Sequence, residues 1–256
     1  MVGGSDEMDF LKNNINSIVL GDSYELIKKI PSKSIDCIYT DIPYLYIQGG
    51  IGNSELGKRM AKKKFELKEH DLEKGIDYDI LNEFIRVMKH INCFIWCSRL
   101  QIIDILDFFN KYNCNYDILF WCKTNPSPST NNTWLSDIEY CLYFREKGKV
   151  KLNDGYNLKS KYYISSTNKN DKDLYKHPTI KPLELVKRHL QHATQPHDII
   201  FDPFCGSGTT CVAAKEVSRR FIGIEIDQEF HKISTDRLNG ITADGQTSIF
   251  TDFDKL

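Results

Sequence analysis

Short apolar runs alternate along this chain with stretches in which apolar residues recur at helical spacing. Ile18, Val19 and Leu20 form a brief apolar run that ends at Gly21-Asp22-Ser23, and residues 23–30 then show helical spacing closed by Pro31. The pattern predicts a strand, a capped turn and a helix. Residues 35–40 predict a second strand, which delivers Asp41 at its carboxyl end. Periodicity is lost between 45 and 75, where Gly49-Gly50, Gly52 and a lysine run stand. A connection that long inside a compact domain signals a functional loop or disorder. Helical spacing resumes over 78–90, followed by a buried strand at 93–97, an amphipathic helix at 100–112 and strands at 116–122 and 137–144. Residues 150–175 are polar and irregular. The remainder predicts a helix at 183–193, a strand at 199–201, a helix at 209–217, a strand at 220–226 and a closing helix at 228–238. Strands alternating with helices of about ten residues predict an α/β domain, an open and mainly parallel sheet with helices on both faces. Ligands then bind at the carboxyl ends of the strands.

The 256 residues, 41% of them apolar, suffice for one domain with a real core. Residues 1–9 are polar and acidic and read as a disordered tail or an expression scar, residues 10–240 as the domain and residues 241–256 as a second tail. No apolar run reaches the length of about eighteen residues that a membrane span needs, and no basic-then-apolar leader opens the chain, so a cytoplasmic protein is expected. The eight cysteines lie mostly inside apolar runs and form no CxxC pair, which favours buried thiols in a reduced compartment over disulfides or zinc. The seven histidines show no ligand spacing, so no metal is expected. A net charge of −1 does not suit a broad nucleic-acid surface, but the imbalance is local. Residues 145–176 carry nine basic against four acidic side chains, and Lys58, Arg59, Lys62, Lys63, Lys64 and Lys68 crowd the unpatterned stretch upstream.

Two segments carry chemistry. Phe201-Asp202-Pro203-Phe204-Cys205-Gly206-Ser207-Gly208 turns from a strand into a helix, and its glycines let a ligand approach the backbone amides. Cys211 stands where a dinucleotide fingerprint would have its third glycine, and an acid precedes the turn. Asp202 would repel a pyrophosphate but attract the ammonium of S-adenosylmethionine. About twenty residues on, Glu225 ends a strand where it can accept both ribose hydroxyls, with Ile226 beside it. The second segment is Asp41-Ile42-Pro43-Tyr44. An exocyclic amine is a poor nucleophile because its lone pair is delocalised into the ring. Asp41 can accept one of its N–H bonds and the Ile42 carbonyl the other, with Pro43 setting the turn and Tyr44 offering a stacking face. A base reaches such a site only when unstacked from its neighbours.

These motifs resemble the β class of S-adenosylmethionine-dependent DNA amino-methyltransferases, in which the acceptor motif precedes the cofactor motif. Asp41-Ile42-Pro43-Tyr44 is similar to the family's Asp-Pro-Pro-Tyr with Ile for the first Pro, and residues 201–208 match its Asp-Pro-Phe-x-Gly-Ser-Gly. Gly21-Asp22-Ser23 resembles the motif whose acid approaches the cofactor adenine. His177-Pro178-Thr179-Ile180-Lys181-Pro182 resembles the segment beside the cofactor methionine. The run from Trp121 through Lys123 and Asn125 to Pro128 resembles the lining of a flipped-base pocket. The resemblance implies a Rossmann-like, doubly wound, mostly parallel seven-stranded sheet, circularly ordered. It implies methyl transfer to adenine N6, since an Asp in the acceptor motif goes with adenine and a Ser with cytosine. It assigns Asp41, Ile42, Pro43 and Tyr44 to catalysis. Asp22, Ser23, His177, Thr179, Lys181, Asp202, Phe204, Gly206, Ser207, Gly208, Glu225 and Ile226 go to the cofactor, and Lys123, Asn125 and Pro128 to the substrate.

DNA is the expected partner, with residues 129–176 as the target-recognition insertion and 45–75 as a mobile loop. Asn131, Asn132, Arg145, Asn153, Asn157, Lys159 and Lys161 are of base- or phosphate-contacting types. Gln246-Thr247-Ser248-Ile249-Phe250 resembles the pentapeptide that docks on the bacterial sliding clamp. A cognate restriction endonuclease, a homodimer and a bacterial or phage source complete the expectations. Cytosine-N4, RNA or protein-amide methylation, a decayed DNA-binding module and a nicotinamide oxidoreductase remain as alternatives.

Overall fold

The computed structural model of the protein describes residues 3–45, 75–126, 134–167 and 180–242. Its sheet runs β1-β8-β7-β2-β3-β5-β4-β6. The strands are β1 Ser17–Leu20, β2 Cys37–Asp41, β3 Asn92–Cys97, β4 Cys114–Lys123, β5 Ile138–Glu146, β6 Tyr162–Ser165, β7 Ile199–Asp202 and β8 Arg220–Glu225. The α-helices among the described residues are α1 Gly3–Asn14, α2 Ser23–Leu26, α3 Ile80–Val87, α4 Ile102–Phe109, α5 Leu183–Ala193, α6 Thr209–Glu216 and α7 Gln228–Leu238. Among the described strands, only β5 runs antiparallel, to β3 on one side and β4 on the other.

Strands β2, β3 and β7 read as continuous apolar runs because both their faces are covered. Successive side chains alternate between two cores. Ile38, Ile95, Phe201 and Ile222 meet Phe84 and Val87 of α3 and Phe109 of α4. Tyr39, Phe94, Trp96, Ile200 and Phe221 meet Leu185, Val186 and Leu190 of α5 and Ala213 and Ala214 of α6.

Two expectations need correction. Among the described residues the sheet has eight strands rather than seven, because β6 forms inside the stretch expected to be irregular. Four residues between polar neighbours are too few to show a period, and β6 exists by adding to the open edge of β4 in the register Phe120↔Tyr162 to Lys123↔Ser165. The polar amino terminus is not wholly a tail either: α1 begins at Gly3, and its second half carries buried Leu11 and partly buried Phe10 onto the core.

The functional crevice follows from connectivity. Strand β2 leads to β3 on one side and β7 leads to β8 on the other, while β2 and β7 themselves pair in parallel, Cys37↔Ile200 and Ile38↔Phe201. The two connections therefore diverge and leave a cleft at the carboxyl ends of these strands. The register sets Asp41 two positions beyond the residue opposite Asp202, a separation of about 8 Å from strand rise and strand spacing.

Packing beneath the 201–208 loop is tight. A Cβ on Gly223 of β8 would lie 2.8 Å from Cys205 Sγ and 2.9 Å from Cys211 Sγ. Gly223→Ala is therefore expected to destabilise the fold by about 1–3 kcal/mol, as overpacking does. A urea denaturation curve checks this, and an unchanged midpoint would contradict it.

Candidate active site

The 201–208 loop leaves β7 and enters α6 through two glycines with positive φ, Gly206 at 50° and Gly208 at 75°. An L side chain is strained in that region. The loop is fastened from several directions. Gly206 N donates to Glu225 Oε2 at 2.7 Å, Asp227 N donates to Glu225 Oε1 at 2.8 Å, and Ser23 Oγ donates to the Pro203 carbonyl. From beneath, the buried Arg237 donates to the Ser207 carbonyl at 3.0 Å and to Thr209 Oγ1 at 2.8 Å. Asp22 caps α2 by accepting from Tyr24 N at 2.8 Å, and Tyr24 meets Phe204 edge-on with centroids 6.2 Å apart. Asp22, Ser23, Asp202, Phe204, Gly206, Ser207, Gly208 and Glu225 thus gather at the carboxyl edge of β1, β8 and β7. Ile226, 67% exposed, stands beside Glu225 as an open apolar surface.

Asp202 is buried, and burial pushes its carboxyl up to about 7 against the Thr210 and Thr40 hydroxyls and the Phe204 amide that favour its ionised form. Its carboxyl oxygen accepts from Phe204 N at 3.2 Å. Burial also raises Glu225, against the amides of Asp227 and Gly206. Two acids held above their usual range beside a fixed backbone loop make a site that favours a cationic, hydroxyl-bearing ligand. These carboxylate acceptors fit a methionine ammonium and a ribose.

The acceptor motif lies across the cleft. Lys181 Nζ bridges Asp41 Oδ2 at 2.5 Å and Glu139 Oε2 at 2.8 Å, and donates to the Tyr44 hydroxyl at 3.2 Å. The ammonium stands 5.4 Å from the Tyr44 ring and 5.2 Å from the Trp96 ring. Glu139 Oε1 takes a second ammonium, Lys123 Nζ, at 2.6 Å. Burial pushes Glu139 up, but the Lys181 and Lys123 ammoniums outweigh it and hold its carboxyl at about 2. Asp41 has one ammonium to share and Glu139 beside it, so burial leaves its carboxyl above the usual range. Asp41 is the more basic of the two acids, and its Oδ1 has no hydrogen-bond partner among the described residues.

Trp96 is held by a buried chain, its Nε1 donating to Tyr39 Oη at 3.0 Å while that oxygen lies 3.1 Å from His189 Nδ1. Asn125 Oδ1 accepts from Thr167 N at 2.6 Å, tying the end of β4 to the residues after β6. Lys181, expected beside the cofactor, reaches into the Asp41 to Tyr44 motif. His177, Thr179 and Pro128, like most of 45–75 and residues 246–250, lie outside the described residues. Arg145 pairs with Asn92 at the opposite end of the sheet, and Asn153 donates to the Gln191 and Thr194 carbonyls at the end of α5. Neither is placed to touch a ligand in the cleft.

A family model described as DNA methylase, for the N6 and N4 enzymes, matches residues 35–236. The chain belongs to the N6/N4 DNA methylase family. It is 32% identical over 248 residues to the type II methyltransferase M2.LlaDCHI of Lactococcus lactis subsp. cremoris, covering 87% of this chain and 88% of that one. Identity is 31% over 256 residues to the type II methyltransferase M2.DpnII of Streptococcus pneumoniae, covering 88% and 91%. Among solved structures, the M1.HpyAVI complex with S-adenosylmethionine aligns at a TM-score of 0.66 and 28% identity over 87% of this chain and 98% of that one. The cytosine-N4-specific PvuII DNA methyltransferase shares the fold at a TM-score of 0.64, 18% identical over 86% and 85%.

Sequence reasoning about this DNA methylase missed Glu139, Trp96 and Gln101, which lie in strands or at a helix start with no motif around them. The one available signal was an acid two residues into the predicted strand 137–144. Because Glu139 is depressed on folding, its contribution is present above the usual carboxylate range and is lost as pH falls from about 4.5 towards about 2. Glu139→Gln is expected to cost on the order of 3 kcal/mol near neutral pH, a gap that narrows through that window. Denaturant midpoints of both proteins across the acid range test this, and a gap independent of pH would contradict it.

Proposed function

We propose that this DNA methylase transfers the methyl group of S-adenosylmethionine to the exocyclic N6 amine of a flipped adenine in DNA. The observation that carries the reading is the state of Asp41 beside the cofactor loop: one oxygen is anchored by Lys181 and the other, buried, lacks a donor. An unsatisfied buried acceptor is costly, and an amine N–H is the group that satisfies it. Asp202 would hold the methionine ammonium, Glu225 the ribose hydroxyls, and Asp22 and Ile226 the adenine of the cofactor. When bound, S-adenosylmethionine supplies the electrophilic methyl carbon. Asp41 Oδ1 and the Ile42 carbonyl accept the two amine hydrogens and draw the nitrogen towards tetrahedral geometry, freeing its lone pair. Tyr44 stacks on the extruded base. No base is needed before transfer, because the alkylated nitrogen carries an extra proton and gives it up afterwards. Asp41, raised above the usual carboxylate range, is the nearest acceptor for it. Lys123 and Asn125 line the base side, and Asp41 rather than Ser supports adenine over cytosine.

DNA is read as lying against the cleft. A cognate restriction endonuclease is the partner that the type II relatives suggest. The sliding-clamp peptide at 246–250 and a homodimer are carried as expectations only.

Asp41→Ala is expected to lower methylation by ~10²–10³-fold, as loss of a key polarising group does, with cofactor affinity retained. Digesting methylated DNA to nucleosides identifies the product, and N4-methylcytosine would refute the adenine assignment. Cofactor affinity should also depend on pH. Binding an ammonium favours ionised Asp202, whose carboxyl titrates at about 7 in the free protein. The Kd is therefore expected to rise as pH falls below about 7, approaching tenfold per unit, and Asp202→Asn to flatten the profile. Calorimetric titrations across that range check it, and a flat wild-type profile would refute the role of Asp202.

A further inference from the structure

We propose that Gln101 is a positioning residue for methyl transfer, holding the Pro43-Tyr44-Leu45 segment in the shape that turnover requires. The proposal rests on the reading of Asp41 to Tyr44 as the acceptor site. Gln101 sits at the amino end of α4 and is fully buried. A primary amide is expensive to bury unless its bonds are made. Here Oε1 accepts from Leu45 N at 3.2 Å, Ser98 N at 3.0 Å and Ser98 Oγ at 2.9 Å, while Nε2 donates to the Pro43 carbonyl at 3.0 Å. These partners determine the orientation of the amide, since exchanging oxygen and nitrogen would face donors with a donor and a carbonyl with an oxygen. Gln101 N also donates to the Ser98 carbonyl at 3.0 Å, so the anchor is itself braced.

The two tethered groups lie on either side of Tyr44. Pro43 has no N–H of its own, and its carbonyl and the Leu45 amide are the backbone handles by which the rigid end of β3 can orient the tyrosine. Residues 45 and 75, which flank 46–74, both reach this point: a Cβ on Gly75 would lie 3.5 Å from Leu45 Cβ and 3.6 Å from Gln101 Nε2. The side-chain partners of Gln101 belong to the acceptor segment and the turn after β3, and none belongs to the cofactor loop. Its loss should consequently separate turnover from cofactor binding.

The test uses the full chain, S-adenosylmethionine and a DNA substrate, comparing Gln101→Met, which keeps the volume but loses the bonds, with Gln101→Glu and Asp41→Ala. Gln101→Met is expected to lower kcat at saturating cofactor and DNA by ~tenfold or more while the cofactor Kd stays within about twofold. Gln101→Glu keeps the acceptor oxygen and, when protonated, the donor to the Pro43 carbonyl. It should exceed Gln101→Met, with an advantage that holds or grows as pH falls. Wild-type kcat for Gln101→Met, cofactor affinity lost in step with turnover, or a Gln101→Glu rate no better than Gln101→Met at every pH would overturn the proposal. Asp41→Ala separates the two levels: if it remains active the acceptor reading itself fails. If it is inactive while Gln101→Met turns over normally, only the role of Gln101 fails.

Discussion

Parallel pairing between β2 and β7 brings Asp41 and Asp202 together, although 160 residues of chain separate them. The pairing works because Cys37, Ile38, Ile200 and Phe201 are buried on both faces of the sheet, so neither strand can shift by one residue without exchanging its two cores. Register then places one carboxylate at the mouth of each connecting loop. The chain connects these neighbouring strands to partners on opposite sides, β2 to β3 and β7 to β8, which opens a crevice at their carboxyl ends. The cleft is thus a product of topology, and the acids in it are a product of register.

Charge in the cleft is distributed unequally, and the inequality defines what each acid can do. Glu139 lies between two ammoniums and is held firmly ionised, whereas Asp41 shares Lys181 and keeps its basicity. Lys181 in turn is raised despite its burial because two carboxylates face it. Asp202, surrounded by hydroxyls and a backbone amide rather than a cation, remains near the edge of ionisation. The Asp41 side is internally compensated, while the Asp202 side is left with affinity for positive charge.

The same physical reasoning limits what can be read from residue type alone. Asn153 and Arg145 have the chemistry of nucleic-acid contacts, yet one closes the carboxyl end of α5 and the other lies in the strand register far from the cleft. Polar side chains at the surface are used first to satisfy backbone groups that the fold leaves open. A roster of basic and amide residues is therefore a poor map of a DNA surface until the backbone carbonyls have been assigned their donors.

Local signals determined most of the elements and the two motifs. Apolar runs flanked by turn residues marked seven of the eight strands, and the Asp-Ile-Pro-Tyr and Asp-Pro-Phe-Cys-Gly-Ser-Gly segments announced themselves because a turn, a carboxylate and an absent Cβ each have a short-range chemical reason. Strand β6 and the helix from Gly3 escaped, since each depends on an edge or a core supplied by distant residues. The contacts that hold Asp41, Pro43 and Leu45 escaped for the same reason. Lys181, Glu139 and Gln101 come from three separate elements, and an ion pair or an amide clamp leaves no periodicity in the chain that makes it. Sequence alone therefore determined the two motifs that could do chemistry. Only the tertiary structure decided which of them share charge and hydrogen bonds, because those interactions depend on distance in space rather than spacing along the chain.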